Sequence, residues 1–137
     1  PALPGTLLCI ALIAVSALSV PRAFAPKQDY AGARDYIMQH ATNTDAVLIA
    51  GVAAITYKRY YNVEWAVTET VEELDAARTG SRRTWFLYTM PLHMESAFPG
   101  LWARLQDEFT VVHRFHGTLG DGTIFVAMSE KPPSSRH

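Results

Sequence analysis

The chain has 137 residues, a formal net charge of −1 and 49% hydrophobic residues. This length corresponds to about one domain, which excludes a multidomain enzyme within the chain. The near-neutral charge balance excludes the strong positive field of a nucleic-acid-binding protein, and it also excludes an acidic disordered tail. All Lys, Arg, Asp and Glu residues lie after residue 21, so the chain consists of an uncharged apolar segment and a charged remainder.

The apolar segment runs from Leu3 to Val20 without a charge. Its length is at the lower limit of what crosses a hydrocarbon layer about 30 Å thick. It predicts a transmembrane helix, and residues 1–25 are assigned to this helix and its junction. A secretory signal peptide stays open, because Ala23-Phe24-Ala25 imitates a cleavage site. A buried core helix is the other alternative, which the lack of a polar stripe disfavours.

Residues 26–130 alternate helical and strand patterns, which predicts an α/β layered domain. Thr70 and Glu73 have the spacing of a capping box. The glycine-rich stretch 117–122 predicts an antiparallel hairpin near the end of the domain. We expect a small Rossmann-like fold with a mostly parallel sheet, followed by a disordered tail at residues 131–137. The predicted helices cover residues 30–38, 53–61, 71–78 and 101–109, and the predicted strands cover 46–50, 64–67, 84–88, 110–115 and 123–128.

Catalytic and metal-binding motifs are weak. Gly51 follows a buried strand, but the sequence after it lacks the further glycines of a dinucleotide fingerprint. His113 and His116 are expected on opposite faces of a strand, and the single cysteine, Cys9, lies in the apolar segment. We therefore expect no metal and no cofactor in this segment. A self-contained enzyme stays open, and it predicts a pocket with convergent polar groups near Gly51.

The best candidate site is a cluster in which aromatic and cationic residues are interleaved. Such side chains suit an anionic lipid headgroup or a sugar ring. The alternative is that the tyrosines pack on the core at helical spacing while the cations are merely exposed. The candidate site residues, which include two arginines expected to add charge from a loop before a strand, are Tyr57, Lys58, Arg59, Tyr60, Tyr61, Arg82 and Arg83.

The ordered series of segments carries a family resemblance. After the apolar helix come Pro26-Lys27-Gln28-Asp29-Tyr30-Ala31-Gly32-Ala33, a buried strand, Tyr60-Tyr61, Trp85-Phe86-Leu87-Tyr88-Thr89 and Phe115-His116-Gly117-Thr118-Leu119-Gly120-Asp121-Gly122. This series resembles the C-terminal end of bacterial members of glycosyltransferase family 39, the group related to the dolichyl-phosphate-mannose protein mannosyltransferases. The resemblance covers nearly the whole chain.

The resemblance implies a role as an accessory domain. The chain would be the last membrane helix and the extracytoplasmic α/β domain of a longer glycosyltransferase, which transfers a sugar from a polyprenyl-phosphate-linked donor. The acidic loop that carries catalysis in that family is not in this sequence, so no catalytic residue is assigned and the segment alone is expected to be inactive.

The same resemblance implies partners and a location. The expected partners are membrane lipid, the N-terminal membrane part of the same protein and a polyprenyl-phosphate sugar donor, with no nucleic acid. The expected location is the inner (plasma) membrane, with the domain on the periplasmic side. The alternative function is a membrane-anchored α/β module that binds a small ligand and has no enzymatic activity.

Overall fold

The computed structural model describes residues 2–24, 27–118, 120 and 122–130. Within these residues the chain forms an α/β fold of six α-helices and five strands. The helices are α1 (Ala2–Phe24), α2 (Tyr30–His40), α3 (Gly51–Thr56), α4 (Val71–Arg78), α5 (Pro91–Ala97) and α6 (Pro99–Glu108). The strands are β1 (Ala46–Ile49), β2 (Ala66–Val67), β3 (Thr84–Thr89), β4 (Thr110–Phe115) and β5 (Ile124–Ser129). The predicted disordered tail lies outside the described residues.

The strands form one mixed sheet in the order β2-β1-β3-β5-β4. β1 pairs in parallel with β2 and with β3, whereas β5 pairs antiparallel with both β3 and β4. The predicted antiparallel hairpin is therefore confirmed, and the predicted mostly parallel sheet is confirmed only in part, because the sheet is mixed with two parallel and two antiparallel pairings. The reason is that β5 lies between β3 and β4, so the antiparallel hairpin and the three parallel strands form one continuous sheet.

Helices cover both faces of the sheet, so the fold has three layers. On one face α2 and α3 pack through Ile37 and Ala53 against Leu87 of β3. On the other face α4, α5 and α6 supply one cluster with Phe86 of β3. Every residue of β3 is buried, including Thr84. This explains why the central strand is a continuous apolar and aromatic run with little polar alternation.

Local signals in the sequence determine several helix ends. α4 begins at a complete capping box, in which Thr70 Oγ1 accepts from the Glu73 backbone N–H at 3.2 Å and the Glu73 carboxylate accepts from the Thr70 N–H. α2 begins after Asp29, whose carboxylate accepts from the Gly32 N–H at 2.8 Å. α5 was not predicted from the sequence. It begins after Met90, which has a left-handed backbone, and Pro91 occupies its first position.

The apolar segment forms α1, and each of its side chains described at residues 4–20 is exposed. Leu7, Ile13 and Leu18 have exposed fractions of 61%, 68% and 81%. This exposure argues against the buried core helix that the sequence left open. In the part of the chain that the structure describes, no helix combines the length and the apolar character needed to cross a membrane. The prediction of a transmembrane helix is therefore not supported.

Candidate functional site

A pocket of about 340 Å³ lies at the carboxyl ends of the parallel strands, and we call it the Gly51 pocket. Gly51 lies two residues after the end of β1, Glu69 lies two residues after the end of β2, and His93 belongs to the helix after β3. In doubly wound sheets ligands bind outside the carboxyl ends of the strands, between two neighbouring strands whose following connections run to opposite sides of the sheet. The other lining residues are mostly apolar: Val52, Ala54, Ile55, Lys58, Val67 and Phe98.

The backbone at the mouth of this pocket is unusual at two strand ends. Gly51 after β1 has φ +57°, and Met90 after β3 has φ +54°. A Cβ atom at Gly51 would lie 3.2 Å from Met94 Sδ, so both the backbone conformation and the close approach of α5 favour glycine there. Met90 adopts this left-handed conformation at a cost of about 1 kcal/mol, which glycine would avoid. Such backbone strain is concentrated at functional sites.

The polar groups of the Gly51 pocket are at its rim. Lys58, Glu69 and His93 are exposed, whereas Phe98 is half-buried in the wall. Among the described lining residues there is no serine, threonine or cysteine that would act as a nucleophile. This arrangement fits a ligand with an apolar body and a charged end.

The predicted aromatic and basic cluster forms a π-helical turn at Tyr57–Tyr61, which continues α3 and ends at Asn62 in a left-handed conformation. The fold separates its members. Tyr57 is fully buried and packs in the core with Tyr30 and Ala53. Lys58 lines the Gly51 pocket. Some residues of the cluster therefore belong to the core and others to the surface, and only the surface residues are available to a ligand.

Two of the remaining members of the turn, Arg59 and Tyr60, are exposed. Tyr60 has an exposed fraction of 72%, and the Arg59 guanidinium lies 5.8 Å from its ring centroid. Tyr61 is half-buried, and Arg34 of α2 covers its ring at 5.3 Å. The alternative that the tyrosines pack on the core holds for Tyr57 and in part for Tyr61, whose ring contacts that of Tyr57, but it does not hold for Tyr60.

The Tyr57 hydroxyl has a structural role. It donates to the backbone carbonyl of Tyr30 at 3.1 Å. Burial, followed by the neighbouring Tyr30 and Tyr61 hydroxyls, raises the pKa of Tyr57 far above its ordinary value. The hydroxyl therefore stays protonated at any physiological pH, and it is not a proton acceptor for a reaction.

Arg82 and Arg83 directly precede β3, at the opposite end of the parallel strands from the Gly51 pocket. The Arg83 guanidinium pairs with the buried Asp45 carboxylate at 2.9 Å and lies 5.5 Å from the Trp85 ring centroid. The structure therefore does not bring these arginines together with Lys58. Arg83 joins the starts of two strands, and Arg82 is an exposed cation next to it.

The described residues contain no group of three His, Cys, Asp or Glu side chains close enough to hold a metal ion. His113 stacks on Tyr36 at 4.8 Å, and His40 stacks on the same residue at 4.0 Å. Both histidines thus have an aromatic partner. His93 and Glu69 were missed as pocket residues by sequence reasoning, because only the folded sheet brings α5 beside the end of β1.

The chain matches no protein-family model, no curated protein and no solved structure. The resemblance to glycosyltransferase family 39 therefore stays a prediction. The site has to be interpreted from its own geometry, which consists of an apolar pocket with a charged rim, an exposed aromatic and basic turn beside it, and an exposed apolar helix.

Proposed function

We propose that this chain is a non-catalytic accessory domain that works at a membrane surface, as the extracytoplasmic part of a glycosyltransferase that uses a polyprenyl-phosphate-linked sugar. The observation that carries the membrane role is the exposure of α1, whose large apolar side chains include Leu8 and Leu12 at 62% and 59%. Leaving so much apolar surface in water is unfavourable by about 25 cal/mol per Å². Lipid or other apolar helices would cover it.

A polar group within α1 is compatible with such an apolar environment. The Ser19 hydroxyl donates to the Val15 carbonyl at 2.8 Å, so it is hydrogen-bonded within its own helix. No charged residue occurs between Pro4 and Val20. Burial of this segment in an apolar phase would therefore not leave a charge without water.

The donor's phosphate would meet the exposed cations next to the Gly51 pocket. Lys58 is at the rim of the pocket, and Arg59 follows it on the same exposed turn beside Tyr60. The apolar wall around Phe98 and Ile55 suits the first isoprene units of the lipid. In this proposal the chain binds and orients the donor, and the reaction itself takes place on another part of the protein.

A flotation experiment tests the membrane role. The full chain should rise with vesicles in a density gradient, and the double variant Leu8→Glu/Leu12→Glu should stay with the soluble fraction. Thr42→Glu/Asn43→Glu is the matched control, because it adds the same charge to an exposed loop. Equal flotation of all three proteins, or no flotation of the unchanged chain, would contradict the role.

A binding experiment tests the donor role. The full chain in detergent micelles is titrated with a polyprenyl phosphate and with the matching uncharged polyprenol. We expect the phosphate to bind more tightly, and Lys58→Ser/Arg59→Ser to weaken it roughly fivefold through loss of two exposed charge contacts. Arg82→Ser is the matched control, because it removes an exposed cation at the other end of the strands.

The Gly51 pocket favours a second candidate, the small-ligand binding module without enzymatic activity. This candidate predicts that the binding affinity depends on the apolar wall of the pocket and not on the cations at its rim. Polyprenol would then bind as well as its phosphate, and Ile55→Ser would weaken both while Lys58→Ser would change neither. Ile55 has an exposed fraction of 64%, so this substitution leaves the core intact.

A further inference from the structure

A second depression, which we call the Tyr61 groove, lies between α2 and the segment that joins the π-helical turn to β2. Its volume is about 610 Å³, which is within the usual range for small-molecule sites. Arg34 and Asp35 of α2 line one side, and residues 61–65 line the other. The groove shares no lining residue with the Gly51 pocket, so the two are separate sites.

Two aromatic residues of the groove are supported from behind by the core. Trp65 and Tyr61 are both half-buried. Their ring centroids lie 5.0 Å and 5.6 Å from that of Tyr57, which is fully buried. Both rings are therefore held in place before any ligand arrives, so stacking of a ligand on the Trp65 ring costs little conformational entropy.

Hydrogen-bonding groups of both kinds surround these rings. Arg34 lies over Tyr61 and donates to the Asp35 carboxylate at 2.6 Å and 2.8 Å. Asp35, Asn62 and Glu64 are exposed at the groove. Carboxylates accept, a guanidinium donates, and an amide does both. Hydroxyl groups also do both, so a ligand with many hydroxyls around an apolar ring face complements this lining.

The charge of the groove distinguishes it from the turn that carries Lys58 and Arg59. Two carboxylates, Asp35 and Glu64, accompany one guanidinium, Arg34. The net negative charge of these groups would repel a phosphate, and binding of an acyl chain would remove water from three charged groups. A neutral or positively charged ligand meets neither penalty.

We propose that the Tyr61 groove binds an uncharged sugar or an amino sugar. One face of the ring stacks on Trp65, and the hydroxyl groups pair with Asp35, Asn62 and Glu64. This inference goes beyond the lipid-facing role and does not require α1 to contact lipid. Failure of the flotation experiment would therefore leave it intact, and its own failure would leave the membrane role intact.

Indole N–H signals of the full chain report binding directly, in micelles of a detergent without a sugar headgroup. The chain contains three tryptophans, and Trp65→Phe identifies the signal of Trp65. The probes are methyl β-glucopyranoside, methyl α-mannopyranoside and glucosamine. We expect at least one of them to shift the Trp65 signal saturably, with a dissociation constant on the order of millimolar.

Variants distinguish specific binding in the Tyr61 groove from a nonspecific effect on the Trp65 signal. Glu64→Gln and Asp35→Asn should each weaken binding roughly tenfold, because each removes a charge-assisted hydrogen bond. Glu72→Gln, an exposed carboxylate on α4, is the control and should change nothing. The inference is overturned if no probe gives a saturable shift, if Glu64→Gln and Asp35→Asn bind as the unchanged chain does, or if inorganic phosphate gives the same saturable shift.

Discussion

The Arg83 guanidinium donates to the carboxylate of Asp45 at 2.9 Å, and this ion pair joins the residue before β3 to the residue before β1. The Asp45 side chain is fully buried, and it also accepts from Trp85 Nε1 at 3.2 Å. An arginine that the sequence placed among ligand-binding residues is therefore used to align two parallel strands.

Asp45→Asn should lower the free energy of unfolding by about 2 kcal/mol at pH 7. Burial alone would raise the pKa of Asp45, but hydrogen bonds from the Thr42 backbone, Arg83 and Trp85 outweigh it and lower the pKa from 3.8 to about 2. The stabilisation is therefore complete above about pH 4 and is lost as the pH falls through about 2. Urea unfolding of both proteins between pH 7 and pH 2 measures the difference.

The matched control for this prediction is Asp35→Asn. Asp35 pairs with Arg34 at the surface, with side-chain exposures of 52% and 33%, so its removal should cost less than about 1 kcal/mol. A difference between Asp45→Asn and the unchanged chain that is the same at pH 2 and pH 7 would contradict the assigned role of the ionised carboxylate.

Gly51→Ala should destabilise the domain more than Gly80→Ala. Both glycines have positive φ, +57° and +80°, so alanine costs about 1 kcal/mol of backbone strain at either position. A Cβ atom at Gly51 also meets Met94 Sδ at 3.2 Å, whereas at Gly80 nothing lies within 4 Å. Thermal unfolding of the two variants measures the contribution of crowding, and equal losses would show that Met94 moves away without cost.

Arg78→Met should lower the free energy of unfolding by about 1–3 kcal/mol, because it removes one of the two guanidinium partners of the nearly buried Glu108 carboxylate and leaves the other, Arg104, at 2.9 Å. The Arg78 and Glu108 side chains have exposed fractions of 1% and 9%. The double variant Arg78→Met/Glu108→Met should recover part of the loss, since no carboxylate that has lost a partner remains there and Arg104 keeps its ion pair with Asp75 at 2.8 Å. Chemical unfolding of the two single variants and the double variant gives the coupling energy, and additive losses would mean that the pair is not coupled.

Tyr57→Phe should cost about 1 kcal/mol, the usual value of one buried hydrogen bond, here the bond to the Tyr30 carbonyl. Tyr57→Ala should cost about 3–5 kcal/mol, because a fully buried aromatic ring leaves a cavity. The control is Tyr60→Ala, which removes a ring that is 72% exposed and should change the unfolding free energy by less than about 0.5 kcal/mol. Similar losses for Tyr57→Ala and Tyr60→Ala would contradict the division of the turn into core and surface.

The sequence by itself determined the elements whose signals are local. The capping box at Thr70 and Glu73 marks the start of α4, and the predicted helix 71–78 is confirmed. The strand 110–115 and the antiparallel hairpin it forms are also confirmed. Capping, periodicity and turn composition act over a few neighbouring residues, so they can be recognised without the rest of the fold.

Only the tertiary structure decided the sheet order and the sites. The insertion of β5 beside β3 depends on pairing between distant segments, which no local pattern encodes. The same is true of the Gly51 pocket, where Gly51 meets His93 only because β1 and β3 are neighbours. The interleaved aromatic and basic residues 57–61 were recognised as one cluster. The direction of each side chain from the π-helical turn then assigned Tyr57 to the core, Lys58 to one pocket and Tyr61 to another.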